Sequence, residues 1–332
     1  MRKQQQGVAL IMAVLIAALV TTAAIAMASR QQLDVRRTAN ILNSDQAFIA
    51  ALAVEDFARD VLVTGRTSGA TDNNNNPTAD HLNEPWATSR VLPFEDMTLA
   101  GQMEDMQGRF NLNNLLDANG DPAAPQVAVF KRLLINLKLD EDIADAVVDW
   151  LDADRNRQGF AGAEDTEYEL KTPPYHAANN FMSSPSELLL IEGIDHEVFS
   201  KLRDYVTVLF RQKGASAPYQ ATAVNVNTAS YELLMALHPQ TDSVKVQQLI
   251  DDRKDPGNEL TDPDAFWQLA GVNIPQNTPN NPIPTVDVNV ISDYFVLNAS
   301  ADFDESRGQV FSLLKFVAND KVDVVMRGRG VY

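Results

Sequence analysis

The 332-residue chain contains no cysteine. That absence excludes disulfides, cysteine nucleophiles, iron–sulfur clusters and thiolate zinc sites. Histidine is nearly as scarce. His81, His176, His196 and His238 are scattered and leave little for a histidine-based metal or catalytic centre. Basic residues are outnumbered, 27 against 45 acids, for a formal net charge of −18. A general nucleic-acid binder needs a basic footprint, so this acidity argues against one. No G-x-S-x-G, no H-E-x-x-H and no phosphate-cradling glycine-rich loop occurs. The composition leaves oxygen-ligand chemistry open, meaning calcium or magnesium on carboxylates. With 45% hydrophobic and 22% charged residues the chain is in the globular range, long enough for one large or two ordinary domains.

The charge is unevenly spread. Residues 1–37 hold Arg2, Lys3, Arg30, Arg36 and Arg37 against the single acid Asp34, a balance of +4, so the rest of the chain carries −22. A basic start on an acidic body is the pattern of a membrane-anchored protein with an exported domain. Residues 1–7 form a short polar leader, and residues 8–28 then run for 21 positions with Thr21 and Thr22 as the only polar members. As a helix that run spans a bilayer core of about 30 Å. The helical pattern does not stop there, because no glycine or proline occurs between Val8 and Thr64. Past Arg30 the pattern becomes amphipathic, with Ile41, Phe48 and Leu52 marking the apolar face. A helix of that length measures about 85 Å, half for a membrane and half for packing on a soluble domain.

An ordinary signal anchor with a helical stalk accounts for these features. The segment also resembles a type IV pilin leader. Gly7 sits where prepilin peptidase cuts, which would leave Val8 as the new amino terminus. Most pilins carry Glu at the fifth mature position, whereas this chain has Met12. A membrane-buried Glu is costly unless paired. Its absence suits a subunit that need not dock on one already assembled, as at a fibre tip.

Downstream, residues 64–86 read as a loop, with Gly65, Gly69, the run Asn73 to Asn76, Pro77 and Pro85. Residues 96–116 alternate as strands around turns at Gly101 and Gly108, and 117–125 form a break. Helices are expected over 127–151, 184–211 (capped by Ser184, with Pro185 in its first turn), 228–253 (capped by Thr228 or Asn227) and 262–269. Residues 273–284 hold four prolines and read as a loop. The tail turns to β character, with strands at 293–303, 308–317 and 321–327 joined by turns at 304–307 and 318–320. Early strands, late strands and helices between them indicate one α+β domain with a large all-α insertion. The divisions are a leader at 1–7, a membrane helix at 8–29, the long helix and first strands at 30–116, an inserted α-domain at 117–285 and closing strands at 286–332.

The densest chemistry begins at Asp149. Between Asp140 and Glu169 there are eleven acids against Arg155 and Arg157. Like charges this close repel, and a divalent cation offsets that repulsion. Asp152, Asp154 and Asn156 match the first three ligand positions of an EF-hand, but Arg157 stands where its glycine belongs and Glu164 falls one residue late. The residues fit either a loop-type calcium site, with oxygens returned from 179–187, or a solvated acidic loop. Two stretches, from Pro185 through Ile194 to Val206 and from Asn225 to Val272, are similar to helix-hairpin-helix (SAM-like) units. The second carries eight acids against three bases, which opposes phosphate binding and favours a protein-interaction use.

Taken together, the Gly7-Val8 leader, the non-acidic Met12, the Asp149-Trp-Leu-Asp-Ala-Asp154 segment with Gly162-Ala-Glu164, and Asn225-Val-Asn-Thr-Ala229 resemble the type II secretion minor pseudopilin K family. The resemblance implies an α+β pilin-like domain whose long helix packs on an antiparallel sheet, interrupted by a helical insertion that binds calcium. It makes Asp149, Asp152, Asp154, Glu164, Asp165 and Glu167 candidate ligands. It further implies a non-enzymatic inner-membrane protein, processed at Gly7 and Val8 and methylated by prepilin peptidase, with its globular part in the periplasm. Its expected partners are minor pseudopilins I and J, other pseudopilins, and the secretin and exported proteins, at the tip of the pseudopilus. Two rivals stand beside it: a minor pilin of a type IV pilus and a DNA-uptake helix-hairpin-helix protein.

Overall fold

A computed structural model describes residues 4–68, 79–210, 221–272, 286–317 and 321–330, with the backbone alone at 4–7 and 68. Residues 1–3 of the leader, the Asn73 to Asn76 run, the proline-rich 273–284 and the turn at 318–320 lie outside the described residues.

Helix α1 runs unbroken over Gln4–Ser68, so the loop expected from Thr64 starts later, and Gly65 is inside the helix. The apolar side chains from Val8 to Met27 are exposed, as are Leu33, Val35, Ile41, Leu42 and Ile49 farther along. The part that docks on the body buries Ala47, Ala51, Glu55, Ala58 and Leu62. The fully buried stripe is built mainly on smaller residues, with Phe48 and Leu52 of the expected face half-buried against it and Ile41 exposed. Close approach is the reason. A Cβ on Gly308 would sit 2.4 Å from the carbonyl carbon of Ala47, and one on Gly101 would sit 2.9 Å from a Val54 methyl. Gly101 is therefore no turn. It lies mid-strand, opposite Ala299, where helix and sheet nearly touch.

The sheet has five antiparallel strands in the order β1-β2-β7-β8-β9. They are β1 (Arg90–Phe94), β2 (Met97–Asp105), β7 (Tyr294–Phe303), β8 (Ser306–Val317) and β9 (Lys321–Arg329). The β7–β8 turn needs only Asp304 and Glu305, and Asp304 takes a positive φ of 52°. Beneath α1, Trp86 packs edge-on against Phe295 at 5.0 Å. The buried Glu55 is held by Arg327 through two bonds, 2.8 Å from Nε and 2.5 Å from a terminal nitrogen, and by the Ser312 hydroxyl.

Asp105 at the end of β2 pairs with Phe295 near the start of β7. Everything between them leaves and re-enters the sheet at one point. That interval contains β3 (Phe110–Asn111), α2 (Ala124–Asn136), α3 (Ile143–Leu151), α4 (Asp165–Tyr168), α5 (His196–Leu202), β4 (Val206–Thr207), β5 (Val224–Asn225), α6 (Tyr231–Ala236), α7 (Ser243–Asp252), α8 (Pro263–Leu269) and β6 (Val288–Asn289). The tiny strands pair in parallel, β3 with β4 and β5 with β6. Phe110, Leu112, Leu115 and Leu116 pack into the helical core with Phe130, Leu134, Val147 and Leu151, so that core begins before residue 117.

The helices are shorter than the sequence pattern suggests. The 127–151 segment is two helices, broken near Lys138, whose φ is +58°. The 184–211 segment is a 3-10 turn over Pro185–Leu190, then α5, then strand β4. Ser184 does cap that turn, reciprocated by Glu187, with Pro185 in its first position. The 228–253 segment is likewise split, and its cap is Ser230, which accepts from Leu233 N at 3.2 Å. Thr228 instead donates to Asp105 at 2.6 Å. Asp105 also accepts from Asn225 at 3.0 Å, from the Ser292 hydroxyl at 2.7 Å and from Gln107 N at 2.8 Å. This knot joins the sheet to the helical block.

The block has a defined place along α1. Asn43 donates to Asp304 at the β7–β8 turn, whereas Arg66 meets Asp80 at 2.9 Å and the Ser292 carbonyl at 2.5 Å. The helical block therefore grows from the end of the sheet farthest from the bare apolar half of α1.

Candidate metal centre

Helix α3 ends at Leu151 and delivers Asp152 as its C-cap. The chain then loops back through Arg157 to α4, whose cap is Glu164. Ligand oxygens of Asp152, Asp154 and Glu164 lie within 4.8 Å of one another. Asp152 and Glu164 are buried, and Asp154 is exposed. Both oxygens of Asp152, both of Glu164 and Oδ1 of Asn179 are buried and find no hydrogen-bond partner among the described residues. Asn179 has a positive φ of 46° and its N donates to the Trp150 carbonyl at 3.0 Å, which draws it to the same end of α3. The sequence points to 179–187 only as a stretch, because nothing local singles out Asn179.

The other three candidate ligands have protein partners. Asp149 is fully buried and accepts from Gln158 N at 2.9 and 3.2 Å. Asp165 accepts from Ala177 N at 3.1 Å. Glu167 accepts from Glu164 N at 2.9 Å and pairs with Arg157 at 3.0 Å. Arg157 is thus a clamp, and its Nε also donates to the Gly162 carbonyl at 2.6 Å.

Burial and the repulsion of Asp154 push Asp152 up to about 6. Burial and the neighbouring Asp149 and Asp152 push Glu164 up to about 7. Burial, offset by Gln158 N, leaves Asp149 at about 7. Buried carboxylates without partners cost several kcal/mol each. A hard cation taking carboxylate and amide oxygens removes that cost, so this donor set fits calcium. Asp152, Asp154 and Glu164 would hold the ion. The ion would neutralise the cluster and tie the two ends of the loop together.

The segment matches a known family. Two family models described as type II secretion system protein K match residues 108–211 and 224–287. Type II secretion system protein K of Pseudomonas aeruginosa is 34% identical, over 99% of this chain and 94% of that protein. The chain belongs to the type II secretion system protein K family. The Aeromonas hydrophila member is 31% identical, over 99% of this chain and 98% of that protein. A minor pseudopilin of type II secretion is what the full-length match denotes. The fold agrees with that in a crystal structure of the GspK-GspI-GspJ complex from the enterotoxigenic Escherichia coli type 2 secretion system. The match covers 89% of this chain and 99% of that one, with a TM-score of 0.65 and 24% identity. The Val8–Thr67 stretch of α1 contains a window long and apolar enough to cross a membrane, which is consistent with an N-terminal membrane anchor.

Proposed function

We infer that this protein K family member caps the tip of the pseudopilus and helps start its assembly. The observation that carries the reading is the position of the helical block. It grows from the end of the sheet where Arg66 binds Asp80 and Ser292, opposite the bare apolar half of α1. A fibre built by stacking such helices leaves room below this body and none above it. The exposed Leu33, Val35, Ile41, Leu42 and Ile49 supply the packing surface for neighbours. Minor pseudopilins I and J are the neighbours this reading names, in line with the complex in which the E. coli relative is found. Prepilin peptidase cuts after Gly7 and methylates Val8, the anchor sits in the inner membrane, and the body faces the periplasm. There it meets exported proteins or the secretin. The role is mechanical, with no catalytic step. Calcium in the Asp152, Asp154 and Glu164 cluster holds the loop of the helical block in shape.

Processing is tested by replacing Gly7 and weighing the membrane form. Full-length mass and blocked secretion are expected, whereas a mature mass unaffected by the substitution sinks the leader assignment. Tip placement is tested by co-purifying residues from about 30 onward with candidate I and J subunits, with metal analysis of the product. A complex without calcium would remove the metal from the reading and leave the assembly role standing.

A further inference from the structure

Helix α1 covers only part of the sheet. Gly101 of β2 closely approaches Val54, so that face of β2 lies under the helix. Register puts Leu92 of β1 opposite Leu99, on the same face, and Phe94 follows two positions on. Yet all five residues of β1 are exposed, Leu92 at 46% and Phe94 at 58%. What remains is a groove with β1 and β2 as its floor and the flank of α1 as its wall, where Phe57 is 48% exposed. Ala53, Phe57, Trp86, Leu92 and Met103 there line an apolar cavity of about 220 Å³. A cavity of roughly 150 Å³ admits benzene, so this one has room for an aromatic or aliphatic side chain.

The wall carries a repeat. Val35, Leu42 and Ile49 recur every seven residues, and Ala39, Gln46 and Ala53 fall four after each. All six are exposed, and none is charged. Phe57 carries the row into the cavity. In the other direction Gln32, Ala28 and Ile25 continue the same spacing into the apolar run. An uncharged, exposed repeat of 3.5 residues is the seam of a helix pair. From Val35 to Phe57 it measures about 33 Å at 1.5 Å per residue.

These features select the occupant. A seam with this repeat is matched by another helix and not by a loop. Strand addition is disfavoured too, because Pro93 removes a donor from the middle of β1. The repeat runs on into the membrane segment, so the occupant crosses the bilayer beside α1. Charge disfavours a second copy. Between Arg37 and Arg59 the helix holds three acids and no base, and the whole chain carries −18. Glu55 is answered by Arg327 and Asp56 by Arg59. Asp45, three residues after Leu42, is exposed at the edge of the seam. We propose that this groove receives the amino-terminal membrane helix of a different pilin-like subunit. That helix runs parallel to α1, sets a lysine or arginine opposite Asp45 and seats one large apolar side chain against Trp86. Taking the neighbour to be a pilin-like subunit rests on the tip reading, whereas the groove and its helix do not.

The test places a photo-crosslinking phenylalanine analogue at Phe57, at Leu92 and, as a control, at Val91, which is 63% exposed on the opposite face of β1. The full chain is irradiated in secreting cells, and each adduct is mapped by mass spectrometry. One partner is expected at 57 and at 92, joined through its amino-terminal helix, and not at 91. Ala53→Arg in the full chain should lower co-purification of that partner at least tenfold at unchanged melting temperature, and Val91→Arg should leave it intact. Asp45→Lys should lower it severalfold. No adduct, an adduct with this same chain, with a soluble protein or with the globular part of the partner, an equal yield at 91, or undiminished co-purification of Ala53→Arg overturns the proposal. If only the tip reading fails, the helix adduct persists and a further subunit crosslinks to the helical block.

Discussion

The sheet half and the helical half both bury acids, and they treat them in opposite ways. In the sheet half Glu55 is 2% exposed and receives Arg327 and Ser312. Burial alone would raise its pKa, but the bonds from Arg327 and Ser312 more than offset that and hold it below the ordinary value. In the helical half Asp152 and Glu164 are just as buried, and among the described residues no arginine or lysine answers their oxygens as Arg327 answers Glu55. One half answers its buried acid from within, and the other gathers acids that a cation would answer. The two also differ in what they display. The sheet half leaves much of α1 bare, and the helical half exposes Phe160 and Leu170.

The contrast breaks most sharply on removal of metal. At calcium a hundredfold above its dissociation constant, binding adds about 2.7 kcal/mol, which corresponds to roughly 5–10 °C in melting temperature. Calorimetry of the protein with calcium and with EDTA should show that shift, and Asp152→Asn with Glu164→Gln should abolish it. A chelator without effect on the wild-type protein would refute the site. In the sheet half EDTA should leave the Glu55 environment unchanged, whereas Arg327→Ala strips that carboxylate. The cost should be about 2–3 kcal/mol, below the 3–5 of a fully buried pair because Arg327 is half exposed. Glu55→Leu with Arg327→Met should recover most of it in denaturant titrations, and a double variant weaker than the single one would sink the pairing argument.

The seam between the halves tests pH. Burial pushes Asp105 up to about 6 from 3.8, against bonds from Thr228, Ser292 and Gln107 N. The folded state therefore keeps a proton that the unfolded chain has released. This contribution is complete below about pH 4 and is lost as pH rises through about 6. It is on the order of 2–3 kcal/mol. Asp105→Asn should flatten unfolding free energy over that window, and a slope that survives the substitution would assign the effect elsewhere. The smallest effect should be at the surface. Lys201→Ala breaks an exposed pair with Glu197 at 2.8 Å and should cost under about 0.5 kcal/mol.

Much of the architecture was legible in the residues. Helix α1 was readable because 57 positions from Val8 to Thr64 lack glycine and proline. Strands β7, β8 and β9 were readable because their Val, Phe and Tyr partly alternate. The failures share one cause. The packed stripe of α1 is built on alanines and Glu55, which carry little hydrophobic signal, and Gly101 reads as a turn until the nearby helix is known. The break at Lys138 between α2 and α3 has no glycine or proline to announce it. In the site, acid density drew attention to the segment from Asp149 to Glu167. It could not separate Asp152, Asp154 and Glu164 from Asp165 and Glu167, which the backbone and Arg157 engage.

The sequence by itself determined the apolar amino-terminal helix, the class of fold and the place where the acids crowd. Those follow from local properties: apolar length, alternation, and acids without cysteine or histidine to compete. Only the tertiary structure decided which acids share a site, which face of α1 is covered and where the insertion stands. Each of these depends on segments far apart in the chain meeting, as when Trp150 draws in Asn179 or Glu55 meets Arg327. No local pattern encodes that distance.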